Sequence, residues 1–168
     1  MKKLLLISLL FSKSVLFSQT VLNSLPLSLN NLEKTQILNI EDKETKDIYA
    51  FAWDNQNINI LKYNKSLFLT NQFTDLIKKE ANRNLMGATI SAGQKPTLYW
   101  ISGNNKNILI TTYNLDCKTS ESLNFDFPKN HNYIISSFQE NNALYILAKE
   151  KEYEHLLLYK FVNQKCEI

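Results

Sequence analysis

Short apolar runs of four to nine residues, rich in Tyr, Phe, Ile, Leu and Thr, alternate along this chain with polar turns rich in Asn. Runs of this kind between turn-forming residues read as β-strands. Three segments repeat one pattern: IYAFAWDNQNINILKYN from Ile48, TLYWISGNNKNILITTYN from Thr97 and ALYILAKEKEYEHLLLYKFVN from Ala143. Tyr49, Tyr99 and Tyr145 occupy matching places, 50 and then 46 residues apart, and Tyr63, Tyr113 and Phe161 form a second set at spacings of 50 and 48. A period near fifty residues built from short strands is the mark of propeller blades.

One unit can be traced completely. Strands are expected at 85–91, 97–102, 107–115 and 122–127, with turns at AGQKP and NNK between the first three, and Pro128 ending the last because it cannot donate into a ladder. Upstream, strands at 48–54, 58–63 and 67–73 follow a first strand at 35–40 and the charged loop EDKETKD. Downstream, strands at 132–138, 144–149 and 156–162 lead to KCEI, where a fourth strand is due and the sequence stops. That ending predicts either a strand borrowed from elsewhere or the front part of a longer protein. The fold expected is all-β, a partial propeller of about three antiparallel four-stranded blades (units 33–73, 85–128 and 131–168). A two-sheet β-sandwich is the alternative. One stretch breaks the strand pattern: TDLIKKEANRNLM, 74–86, reads either as a one- or two-turn helix capped by Thr74 or as a solvated loop.

Composition changes the turns. The chain has 21 Asn and only three Gly. Asn tolerates left-handed backbone and caps its own turns, so Asn55-Gln56-Asn57, Asn104-Asn105 and Asn141-Asn142 are expected to close hairpins.

Charge changes the class. Residues 1–18 combine a basic MKK, the apolar LLLISLLF and SVLFS, with Gln19 a candidate mature N-terminus. This is the layout of a signal peptide, although Lys13 interrupts it and a retained anchor is the alternative. No cysteine lies near the cleavage point, which disfavours a lipoprotein. Its three lysines account for the whole formal charge of +3, leaving sixteen basic and sixteen acidic residues in 19–168. A neutral chain lacks the field that phosphate backbones require, so nucleic acid is not an expected partner. An exported protein, periplasmic or extracellular, with no membrane attachment once the signal is cut, is the expectation.

No catalytic, cofactor-binding or metal-binding set stands out. Trp53 and Trp100, with Tyr49, Phe51, Tyr99 and Tyr145, are read as packing between blades rather than as sugar platforms, and Phe51 and Trp53 fall on one face by alternation. Asp54, Asp116 and Asp126 lie at strand ends, where turn capping outweighs a glycosidase pair. Lys149 to His155 reads as a solvated hairpin tip, and Asn64-Lys65-Ser66 as a chance glycosylation triplet. Cys117 and Cys166 are expected to be free thiols rather than a disulfide, and His131 and His155 lie too far apart for a familiar metal spacing.

With a leader ending on Phe-Ser-Gln, an Asn/Lys/Ile-rich composition and a repeat of the form PTLYWISGNN, the chain resembles secreted bacterial β-propeller-like proteins, most strongly over 85–161. The resemblance implies an exported binding module and supplies no functional residue. Two further readings stand beside it: the front of a larger propeller hydrolase with its active site beyond residue 168, and a sandwich adhesion domain. A protein or glycan is the expected partner. Self-association through an open blade face is also expected, since an uncovered blade is an aggregation liability.

Overall fold

The computed structural model describes residues 29, 31–77, 80, 82–91, 93–127, 131–151, 155–163 and 165–168, the side chains of Leu32 and Asn132 excepted. The leader at 1–18 and Pro128 lie outside them. The first blade is β1 (Gln36–Glu41), β2 (Ile48–Trp53), β3 (Asn57–Tyr63) and β4 (Leu69–Leu76). The second is β5 (Arg83–Ser91), β6 (Lys95–Ser102), β7 (Asn107–Asn114) and β8 (Thr119–Asp126). The third is β9 (His131–Glu140), β10 (Ala143–Glu150), β11 (Leu156–Val162) and β12 (Lys165–Glu167). Each set forms one antiparallel meander of four strands, in sequence order. The expected blades are therefore present, and three separate sheets replace the two of a sandwich.

Three expectations need correction. The third blade does have its fourth strand: β12 is only three residues long and pairs Cys166 with Phe161. A strand that short carries no periodicity to read. Among the described residues of 74–86 there is no helix, because Thr74 to Leu76 finish β4 and Arg83 begins β5. The second marker set is also out of register. The partners of Ile48, Leu98 and Leu144 are Tyr63, Thr111 and Phe161, so Tyr113 lies two residues beyond the matching place. Side chains two apart share a face, which is why the spacing looked consistent.

Asn supplies five of the nine left-handed non-glycine positions among the described residues. Asn141 and Asn142 have φ of 48° and 58° and form a two-residue hairpin between the paired Glu140 and Ala143. Positive φ at both central positions matches the right-handed strand twist. In the second blade the left-handed positions are Asn105 at 57°, in the β6–β7 connection, and Gly93 and Gln94 at 77° and 56°, in the three-residue connection between the paired Ser91 and Lys95.

The blades stack through two cores. In the first, Tyr49, Phe51, Trp53, Ile58 and Ile60 pack on Ala88, Leu98, Trp100, Leu109 and Tyr113. In the second, Tyr99, Ile108 and Ile110 pack on Leu144, Ile146, Leu157, Tyr159 and Phe161. Alternation along β6 thus sends Leu98 and Trp100 one way and Tyr99 the other. Buried hydroxyls are satisfied within the second blade, Thr97 by Thr112 and Thr89 by Tyr99, each at 3.0 Å.

Polar ties cross the interfaces. The Tyr49 hydroxyl donates to Gln94 O at 3.0 Å, and Lys62 Nζ, paired with Asp47 at 3.0 Å, donates to Gln94 Oε1 at 3.0 Å. With its amide oriented for the site, Gln139 donates to Ala88 O and accepts from Ala88 N, each at 2.9 Å, and Ser137 donates to Met86 O at 3.0 Å. Lys43 of the β1–β2 loop reaches Asn141 Oδ1 at 3.3 Å, joining the first blade to the third.

Candidate ligand cleft between the first two blades

β2 ends on Trp53, and the chain turns at once through Asp54, Asn55 and Gln56 into β3. Asp54 is the reason for the turn. Its Oδ1 accepts the amides of Gln56 and Asn57 at 2.7 and 2.8 Å, and Oδ2 accepts that of Asn31 at 3.1 Å. The side chain is buried, as a carboxylate can be when several N–H groups replace its water. Trp53 meets Trp100 across the blade interface, with ring centroids 5.9 Å apart and planes at 88°. The edge-to-face pair closes the base of a cleft of about 320 Å³, bounded on one side by the Asp54 turn and on the other by the link from β4 to β5.

That link carries Glu80 and Asn82 and leads into Arg83, the first residue of β5. Glu80 is buried and accepts from Thr111 Oγ1 at 2.7 Å, while its carbonyl accepts the Arg83 amide at 3.0 Å. Arg83 is the single arginine in a chain with eighteen lysines. Its guanidinium spans three strands: Nη1 donates to Asn107 Oδ1 at 2.7 Å and to Trp100 O at 3.5 Å, and Nη2 to Asn124 Oδ1 at 3.2 Å. A planar fork with five donors reaches acceptors on separate strands at once, whereas an ammonium concentrates its three donors on one atom. Exposed Gln36, Asn55 and Asn82 form the rim. Trp100, 2 % exposed, borders the cleft, and its indole N–H has no acceptor among the described residues. A buried donor left unmet costs about 1–3 kcal/mol.

The next interface holds a counterpart on the same end. The β6–β7 turn (Asn104, Asn105 and Lys106) and the Asp126–Phe127 exit of β8 border a cleft of about 530 Å³, with His131 opposite. Here Phe127 replaces the tryptophan pair, its ring 4.8 Å from both His131 and Tyr159. Burial, with lesser contributions from Cys166 and Glu150, pushes the Tyr159 phenol up to about 12.

The other residues singled out in the sequence are spread around the molecule. Tyr49, Phe51, Tyr99, Trp53 and Trp100 are interface core, as read, whereas Tyr145 lies half-buried on the outer face of the third blade. Asp116 accepts from Asn71 Nδ2 at 3.0 Å, tying the outer edges of two blades, and it is Asn114 that caps that turn. Asp126 ends β8, exposed and opposite Asn107. Asn64 Oδ1 accepts the amides of Ser66 and Phe68, both at 3.0 Å, so its side chain shapes the β3–β4 turn. Residues 152–154 of the charged tip lie outside the described residues, and Glu150 contacts His155 at 3.2 Å at its base. Cys117 is exposed and Cys166 half-buried, both as free thiols, and burial helped by Glu167 pushes the Cys166 thiol up to about 11. Glu80 and Arg83 escaped sequence reading because the partners of their side chains are 17 to 41 residues away. The solitary arginine was the available signal.

No protein-family model, curated protein or solved structure matches the chain.

Proposed function

We propose that this chain is an exported, non-enzymatic binding module that takes a neutral, hydroxyl-rich ligand of the oligosaccharide class in the clefts between its blades. The observation that carries the reading is the cleft between β2 and the β4–β5 link, with amides of Gln36, Asn55 and Asn82 at its rim and Arg83 fixed beside them. Amides offer both donors and acceptors, which suits hydroxyl groups that do the same. A corresponding cleft at the next interface supports more than one site per chain. The basic and apolar leader supports export. Asp54 spends its oxygens on backbone N–H groups, which supports a structural role over a catalytic one.

The test is a glycan array followed by calorimetry on the best hit, with Gln36→Ala and Asn55→Ala in parallel. Both side chains are exposed, so the melting temperature should not change. The expected result is a loss of about tenfold in affinity per lost hydrogen bond. An array on which no glycan is retained, or binding that both variants leave intact, overturns the reading.

A further inference from the structure

The cleft between the first two blades is rich in unmet donors and poor in unmet acceptors. Its two buried carboxylates are already committed, Asp54 to three backbone amides and Glu80 to the Thr111 hydroxyl. Its donors are not. An arginine carries five N–H groups. Those of Arg83 make three bonds, all to neutral oxygens, which leaves two without an acceptor among the described residues. The indole N–H of Trp100 is one more. Asp54 and Glu80 match Arg83 and Lys34 in charge, so the wall as a whole is neutral. Trp53, Trp100 and Ile77 supply its apolar lining. The two tryptophans are also the only ones in the chain.

We propose that this cleft selects the acetamido group of an N-acetylated sugar, whose carbonyl oxygen accepts from Trp100 Nε1–H and from Arg83. The proposal rests on the binding role given above and names the group that the site reads. A carbonyl oxygen only accepts, so it meets two donors and brings no hydrogen of its own into the apolar base. A hydroxyl in the same place would bury a donor beside carboxylates whose oxygens are already in use. The acetamido methyl lies against Trp53 and Ile77, and its N–H donates outward to an amide oxygen of the rim, Gln36 or Asn82. A carboxylate also only accepts, but its charge meets no excess of cations in a wall whose acids match its bases. The Trp100 nitrogen is shut off from water, so binding parts the base of the cleft by enough to admit one oxygen. That movement changes the surroundings of both tryptophans.

The test is intrinsic tryptophan fluorescence of the full chain, expressed from Met1 and purified as the host processes it. It is titrated with triacetylchitotriose, with cellotriose, which lacks the acetamido groups, and with trigalacturonate, which carries carboxylates instead. The expected result is a shift in tryptophan emission with triacetylchitotriose and a Kd about tenfold below that for cellotriose, the factor one hydrogen bond to a buried donor supplies. Trp100→Phe removes the N–H, keeps an aromatic ring and should bring the two affinities together. If that variant does not fold, the wild-type comparison decides by itself. Equal affinities for triacetylchitotriose and cellotriose overturn this inference and leave the binding role standing. Tighter binding of trigalacturonate, or of an array glycan without an acetamido group, overturns it too, as does a Trp100→Phe protein that keeps the preference. Retention of no glycan at all overturns the binding role and this inference with it.

Discussion

The Tyr49 hydroxyl donates to the main-chain oxygen of Gln94, 45 residues later and one blade away. Because the acceptor is backbone, the bond reads position and not side-chain identity. Tyr49→Phe keeps the ring and should cost about 1 kcal/mol in chemical denaturation. Tyr49→Ala, at a residue with no exposed surface, should cost about 3–5 kcal/mol. Equal losses for the two variants would show that the ring contributes little.

Gly87 is needed for proximity between blades. A Cβ there would lie 2.6 Å from the end of the Gln139 side-chain amide and 2.9 Å from Leu144 Cδ1. Gln139 can swing aside, but only by leaving both polar groups of Ala88, while Leu144 is packed in the second core. Gly87→Ala should destabilise by about 1–3 kcal/mol. Combining it with Gln139→Ala should cost less than the sum of the two changes. Strict additivity in a double-mutant cycle would refute the contact.

The Asn141-Asn142 turn needs two left-handed residues. Asn142→Gly should be neutral or stabilising, whereas Asn142→Val should cost about 1–2 kcal/mol because a β-branched residue is strained at positive φ. A valine variant as stable as wild type in urea would count against the hairpin geometry.

High pH should unfold this protein. Burial is the leading cause holding the phenols of Tyr49, Tyr99, Tyr113 and Tyr159 above the ordinary 10.0, and it also holds the Cys166 thiol above 9.0. Burial works the other way on Lys62, but its bonds to Asp47 and Tyr49 prevail and keep it above 10.5. In each case the folded state holds its proton more tightly than the unfolded state. The stabilisation is therefore complete below the unfolded pKa and lost as pH rises through the folded one. The urea midpoint should start to fall near pH 9 as the thiol begins to matter, and fall more steeply between pH 10 and about 12. A midpoint that rises with pH over this range would contradict the burial.

The blades were legible because Tyr49, Tyr99 and Tyr145 sit at the same place on the second strand of each blade and so recur with the fold's own period. Tyr113 misled because a shift of two residues keeps a side chain on its face. β12 escaped because three residues hold too little alternation, and its place is fixed by pairing with β11. The segment 74–86 was ambiguous because Leu76 and Ile77, followed by Lys and Glu, suit a helix locally; the ladder of β4 with β3, which includes Asp75 opposite Ile58, outweighs that preference. The aromatic pair at the cleft was read as core, which it is. The polar partners of Arg83 are long-range, and no local pattern places Asn107 and Asn124 beside it.

The second blade has no dry side to spare. Residues 96–101 of β6 and 108–113 of β7 are buried without interruption, because both of its faces meet another sheet. Leu98, Trp100, Leu109 and Tyr113 answer to the first blade and Tyr99, Ile108 and Ile110 to the third, so sequence drift at any of them is felt at an interface. Its amides should also be the slowest in the chain to exchange with solvent, since exposing them requires separating two interfaces rather than one. A lesion in the outer blades loosens one interface, whereas a lesion in β6 or β7 loosens the mortar on both sides.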